Sequence, residues 1–163
     1  SSVVAKLPTE GRDADAITDS EFPHIQLARS ATQAVAGGTS VLINWDNVVH
    51  SSSGWDVKIP GSDVTIPVDG TYLCILHVAF VTISASVGKA MFRIDGRVRM
   101  ADENRSGDVA FYQSYYLADF FTLSAGQVAS AAVFAQGDRD FGPSGPDPTV
   151  LTTMSLTRLP VGR

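Results

Sequence analysis

Between Asp63 and Ile83 the chain reads DVTIPVDGTYLCILHVAFVTI. It opens as an alternation, with Val64, Ile66 and Val68 set against Thr65 and Pro67, and then breaks at Asp69-Gly70, a turn pair. Beyond that turn hardly a polar side chain occurs. Because a strand repeats every two residues, Tyr72, Cys74, Leu76, Val78 and Phe80 share one face, and Leu73, Ile75, His77, Ala79 and Val81 share the other. Both faces are apolar. A helix is the rival reading, but the β-branched and aromatic content and the turn in front favour a strand. A strand of an antiparallel sheet needs only one buried face, so the second requires a cover, and in this fold class the best cover is another subunit.

The composition agrees with a β-rich globular chain. At 163 residues there is enough for one domain with a sizeable core, plus a tail. Only 18% of residues are charged and 44% are hydrophobic, which fits a β-rich globular domain better than a disordered chain. A net charge of -5 argues against a basic nucleic-acid surface and against a polybasic membrane anchor. The longest apolar run, Thr71 to Ile83, carries His77 and is too short for a spanning helix. No apolar leader is read at the start. Neither nucleic acid nor membrane is expected as a partner. Cys74 is the single cysteine, so no intrachain disulfide forms, and within so apolar a strand it reads as a small buried hydrophobe.

Outward from that stretch, residues 1–23 read as an extended arm, acidic and without sustained apolar period. Its apolar clusters, Val3, Val4 and Leu7, then Ile17 and Phe22, are expected to lie on a neighbouring subunit or partner, since such an arm can hardly hold itself in place. The domain then spans residues 24–163. A first strand runs from Ile25 to about Thr32, and a second from Val41 to Val49 with Trp45 as its anchor. After the central stretch come a hairpin over Ala90 to Met100, a polar loop over Asp102 to Asp108, and an aromatic-rich region from Val109 to Leu123. Val128 to Ala135 alternates again and carries an alanine face that admits close approach of a sheet or subunit. Gly137 to Pro148 is a Gly- and Pro-rich loop with Phe141 as its one apolar, exposed contact residue, and Val150 to Leu159 is the last strand. Eight to ten strands without a convincing helix predict an all-β, two-sheet antiparallel jelly-roll sandwich.

The hairpin register decides where three arginines point. A two-residue Asp95-Gly96 loop would pair Phe92 with Arg99 and mix charge into both faces. A three-residue loop with Gly96 in the left-handed position of a bulge puts Arg93, Arg97 and Arg99 on one face, and is preferred. That would make a small cationic face, open to an acidic partner.

Catalytic signatures are missing. His24, His50 and His77 stand in no metal-ligand spacing, and no nucleophile elbow or phosphate-cradling loop occurs. The acidic groups Asp102-Glu103 and Asp138 with Asp140 lack calcium-loop spacing. No catalytic residue, metal or cofactor is assigned, and the chain reads as non-enzymatic.

Several segments together carry a resemblance: ARSATQ near Ala28, an early Trp45-Asp46 strand, IPVDGTYLCILHVAF, FRIDGRVR, YLADFFTLSAGQVASAAVFA and a closing TTMSLTRL. In this order they resemble the tumour necrosis factor and complement globular-head type of trimeric jelly roll. More specifically the chain resembles the version found in tailed-phage virion proteins, where a short arm precedes a compact domain. The resemblance covers about Ile25 to Leu159 and rests on strand order and on the Gly-Thr-Tyr and Leu-Ser-Ala-Gly-Gln signatures. Animal members carry collagen-like or membrane-spanning stalks, which are not read here, so a virion protein is expected. The resemblance implies a homotrimer whose interface is drawn from Leu73, Ile75, His77, Tyr112, Tyr115, Tyr116, Ala129 and Ala131. It implies a decoration protein on the exterior of a phage capsid, bound to the major capsid protein through the arm. The alternative is the receptor- or glycan-binding tip of a tail or head fibre.

Overall fold

Alternation with a period of two governs the whole chain, and the computed structural model, which describes residues 22–104 and 112–160, is built of strands. In chain order they are β1 (His24–Arg29), β2 (Gln33–Val35), β3 (Thr39–Leu42), β4 (Asn47–Ser51), β5 (Asp56–Val57), β6 (Val64–Thr65), β7 (Gly70–Ala79), β8 (Gly88–Ile94), β9 (Arg97–Asn104), β10 (Ser114–Leu123), β11 (Val128–Ala135), β12 (Arg139–Phe141) and β13 (Thr152–Arg158). One sheet has the order β10-β7-β13-β1-β4. The second has the order β5-β6-β11-β8-β9, with β3 also paired to β11, and β12 with β2 makes a small third piece. The pairings are antiparallel, so the expected two-sheet jelly roll is the observed fold. Val3, Val4, Leu7 and Ile17 of the arm lie outside the described residues.

β7 is the spine of the first sheet. It pairs along its whole length with β10, from Gly70 opposite Leu123 to Ala79 opposite Ser114, and with β13 on its other side. Tyr72, Cys74, Leu76 and Val78 are fully buried between the sheets. A buried side chain of that size contributes roughly 1.5–3 kcal/mol. Across from them Ala129, Ala131, Val133 and Ala135 of β11 face the same core. The small alanines leave room for large aromatic rings, and Phe92 of β8 stacks on Phe121 of β10 at 5.8 Å.

The expected strand from Val41 to Val49 is two strands in two sheets. β3 pairs with β11, β4 pairs with β1, and the chain crosses between the sheets at residues 43–46. Backbone bonds guide the crossing: Ile43 N donates to Ala131 O (2.8 Å), Trp45 N to Gly61 O (2.8 Å) and Asp46 N to Ala28 O (3.2 Å). Trp45 is fully buried there. The Asp46 carboxylate accepts from Ser30 N, Ser30 Oγ and Ala31 N at 2.8–3.0 Å. Partial burial pulls its pKa up, but these bonds and the Arg29 charge outweigh it and hold the group below the ordinary carboxylate value.

The β8–β9 hairpin differs from the expected register. Asp95 and Gly96 both have positive φ, 51° and 78°, so the loop has two residues, and Ile94 pairs with Arg97. The bulge lies one step further in, between Phe92 and Arg93, and restores Phe92 opposite Met100. The turn is latched to β11, because Asp95 Oδ1 accepts from Val128 N (2.9 Å) and Asp95 N donates to Val128 O (2.8 Å).

Candidate interaction face

The sheet β10-β7-β13-β1-β4 has a second surface, opposite the core. Strand pairing arranges it in rows. One runs Tyr116, His77, Thr153, Ala28; the next Ala118, Ile75, Ser155, Gln26, His50; the third Phe120, Leu73, Thr157, His24. Every one of these side chains is uncharged, in a chain where 18% of residues carry charge. Leu73 and Ile75 are half-buried by their neighbours. Tyr116 is 73% exposed and Phe120 56%, so two large rings on β10 stand open in solvent. A charge-free sheet face, apolar on β10 and β7 and polar on β13, β1 and β4, with two exposed aromatic rings along its β10 edge, suits a protein contact.

His77 sits within this face and is the most constrained of its polar groups. It is 6% exposed, its Nδ1 lies 2.9 Å from Leu151 O, and its ring stacks on Tyr116 at 4.5 Å and 26°. A carbonyl only accepts, so Nδ1 carries the proton and Nε2 does not. Burial pulls the His77 pKa below the ordinary imidazole value, against the opposing effect of the Leu151 carbonyl.

The predicted site residues distribute unevenly. Leu73, Ile75, His77 and Tyr116 share the outer face. Tyr115, Ala129 and Ala131 do not: all three are buried in the core, because Tyr115 alternates with Tyr116 and the alanine row looks across the sandwich. Tyr112 is exposed and precedes β10. Sequence reasoning missed Ala118 and Phe120, each a further period of two along from Tyr116. Of the five apolar arm residues singled out, Phe22 alone is described, and it is half-buried beside β1, its carbonyl 3.2 Å from His24 Nδ1.

The cationic face is not formed. The two-residue loop places Arg97 beside Ile94 and Arg93 beside Val98, in consecutive pairs on opposite faces. Arg93 Nη2 donates to Gly96 O at 2.8 Å, while the Arg99 guanidinium lies 4.8 Å from the Phe121 ring.

Phe141 is likewise no exposed contact. It is fully buried at the end of β12 and bridges to Phe80, because Arg139–Phe141 pairs with β2 where a loop was expected. Its neighbour Arg139 is also buried, with its guanidinium 4.0 Å from the Phe80 ring, Nη2 donating to Thr82 O (2.6 Å) and Nη1 to Gln113 Oε1. Asp138 and Asp140 flank a cavity of about 370 Å³ beside it, and Asp138 Oδ1 accepts from Gly37 N at 2.7 Å. Among the described residues no cluster of three His, Cys, Asp or Glu could hold a metal ion. Burial pushes the Cys74 thiol up to about 12, which leaves it protonated and unreactive.

No protein-family model matches this sequence, and no curated protein does. Solved structures do match in three dimensions. Murine APRIL at pH 5.0 aligns with a TM-score of 0.62 at 18% identity, covering 85% of this chain and 99% of that one. The pH 8.5 form of murine APRIL gives 0.60 at 17% identity with the same coverage. The Eiger TNF of S. frugiperda gives 0.62 at 15% identity, covering 87% of this chain and 94% of that one. At such identities the likeness is one of fold, and the fold is the tumour-necrosis-factor-like jelly roll.

Proposed function

We propose that this chain is a non-enzymatic structural protein that closes into a homotrimer through the outer face of the β10-β7-β13-β1-β4 sheet. The observation that carries this reading is the charge-free face with Tyr116 and Phe120 standing in solvent. A contact between copies of one chain must not set like charges against each other, and a face without charge meets that condition at no electrostatic cost. Three copies around an axis also supply the cover that the second apolar face of β7 requires.

Within that reading the trimer is a decoration protein on the exterior of a phage capsid, held to the major capsid protein by the arms at residues 1–23. The arm-then-jelly-roll order and the signature segments support it, and three arms bound at once would raise attachment far above that of one. The fibre-tip alternative loses Phe141 as a loop contact, since that ring is buried, and keeps the exposed Tyr112.

Two measurements test this. Quantitative mass spectrometry of particles from the source organism should find copies in the hundreds relative to the major coat protein; a handful would replace the decoration role with a fibre or baseplate one. Deleting Ser1 to Phe22 should leave a folded trimer that no longer binds shells. Continued binding would overturn the role of the arm.

A further inference from the structure

Among the described residues three histidines are the only ones on the outer face, apart from Tyr116, that can change charge: His77 on β7, His24 on β1 and His50 on β4. His24 and His50 lie together, with ring centroids 5.5 Å apart, near an edge of the sheet, and His50 is exposed. His77 stands apart, 6% exposed, beside the open rings of β10.

We infer that His77 makes the contact between copies proton-sensitive, closed by the neutral imidazole and opened by the imidazolium. The inference rests on the reading of the outer face as the contact between copies. Nδ1 already donates to Leu151 O, so a second proton must go onto Nε2. From β10 the ring meets Tyr116, with Ser114 and Ala118 on the same parity; on β13 its cross-strand partner is Thr153, with Ser155 on the same parity, and the Leu151 carbonyl just before that strand takes its Nδ1 proton. Among the described residues no carboxylate faces it from either strand to balance the resulting charge, and Asp119 of β10 has the opposite parity, opposite Cys74. Rotational closure would repeat the buried cation three times about one axis, where each charge repels the others at reduced dielectric.

The sign follows from linkage. Burial within the subunit favours the neutral form, so the subunit stability from this group is full above the ordinary histidine pKa of about 6.5 and is lost as pH falls below it; closure of the contact over the ring acts in the same direction, from the lowered pKa of the free subunit downward. Each of three sites can take up one extra proton on dissociation. The trimer dissociation constant therefore rises by up to about a thousandfold per pH unit once the pH lies below the His77 pKa of the free subunit, which burial in the subunit already holds under the ordinary imidazole value.

Sedimentation equilibrium of the full chain between pH 8 and pH 5 tests this, with circular dichroism on the same samples to follow the subunit fold. The wild type should be a trimer at pH 8 and should dissociate as the pH falls from about 6.5 towards 5, without losing strand signal. His77→Gln, and His77→Phe, which keeps a ring on Tyr116 without a titratable nitrogen, should lose that dependence. A His24→Gln/His50→Gln double variant should keep it. The proposal is overturned if the wild type stays trimeric to pH 5, or if both His77 variants dissociate along the wild-type profile. A monomer at pH 8 would overturn the reading of the outer face itself.

Discussion

Tyr115 and Tyr116 are neighbours in β10, and one is 1% exposed while the other is 73% exposed. The difference is that between two faces of one sheet. The inner face is filled by the chain itself, by Trp45, Phe92, Phe121 and the alanine row of β11. The outer face has equally apolar members in Leu73, Ile75, Tyr116 and Phe120, yet Tyr116 and Phe120 stand open to solvent and no second sheet packs on them. Hydrophobicity is thus common to both faces, and what separates them is packing: one set of side chains interdigitates with a second sheet, the other stands in rows without a partner. The outer rows also exclude charge, a restraint that a merely solvated face would not need.

That contrast can be broken from either side. The largest effect should come from Leu76→Ala, which opens a cavity under β7 and should cost the subunit about 2–5 kcal/mol in urea denaturation. Gly88→Ala is the next. Its new methyl would stand 2.5 Å from the Tyr115 hydroxyl and 2.9 Å from Phe80 Cε2, an overpacking worth roughly 1–3 kcal/mol in the same assay. Phe120→Ser should move the stability of the isolated subunit least, by less than about 0.5 kcal/mol, because the ring is already in water. Its sedimentation should instead shift from trimer to monomer. Equal losses of subunit stability from Leu76→Ala and Phe120→Ser would erase the distinction between the faces.

The sequence made the central strand legible because its alternation is long and its turn residues unambiguous. β7 ends within a few residues of where the pattern stops, and the two-sheet class follows from many such segments. The interface was legible only in part. Periodicity says that Tyr115 and Tyr116 point to opposite sides, but which side is the core depends on β11, whose alanines could equally line a contact. The hairpin shows a different limit: Asp95 accepts bonds from Val128 and Gln127, so a long-range latch favours the tight loop over the bulged one that local pattern suggested. Arg139 was missed, and Phe141 taken for an exposed contact, for a third reason. They lie in a Gly- and Pro-rich segment, and a buried arginine held over Phe80 is invisible to any reading that assigns charge to the surface.

β1 and β13 lie side by side, with His24 opposite Thr157 and Arg158 N donating to Pro23 O at 2.9 Å. The described domain is therefore entered and left at the same end of the sandwich. The Ser124–Gln127 turn, which comes after β10, lies at that end too, since Leu123 pairs with Gly70 and Tyr72 with Arg158. The turn beyond Ala79 lies at the other. A protein engineer would read this as a plug with its leads on one side: a peptide fused before His24 and another fused after Arg158 would emerge together. Segments inserted between residues 80 and 87 would be presented at the far pole, away from both.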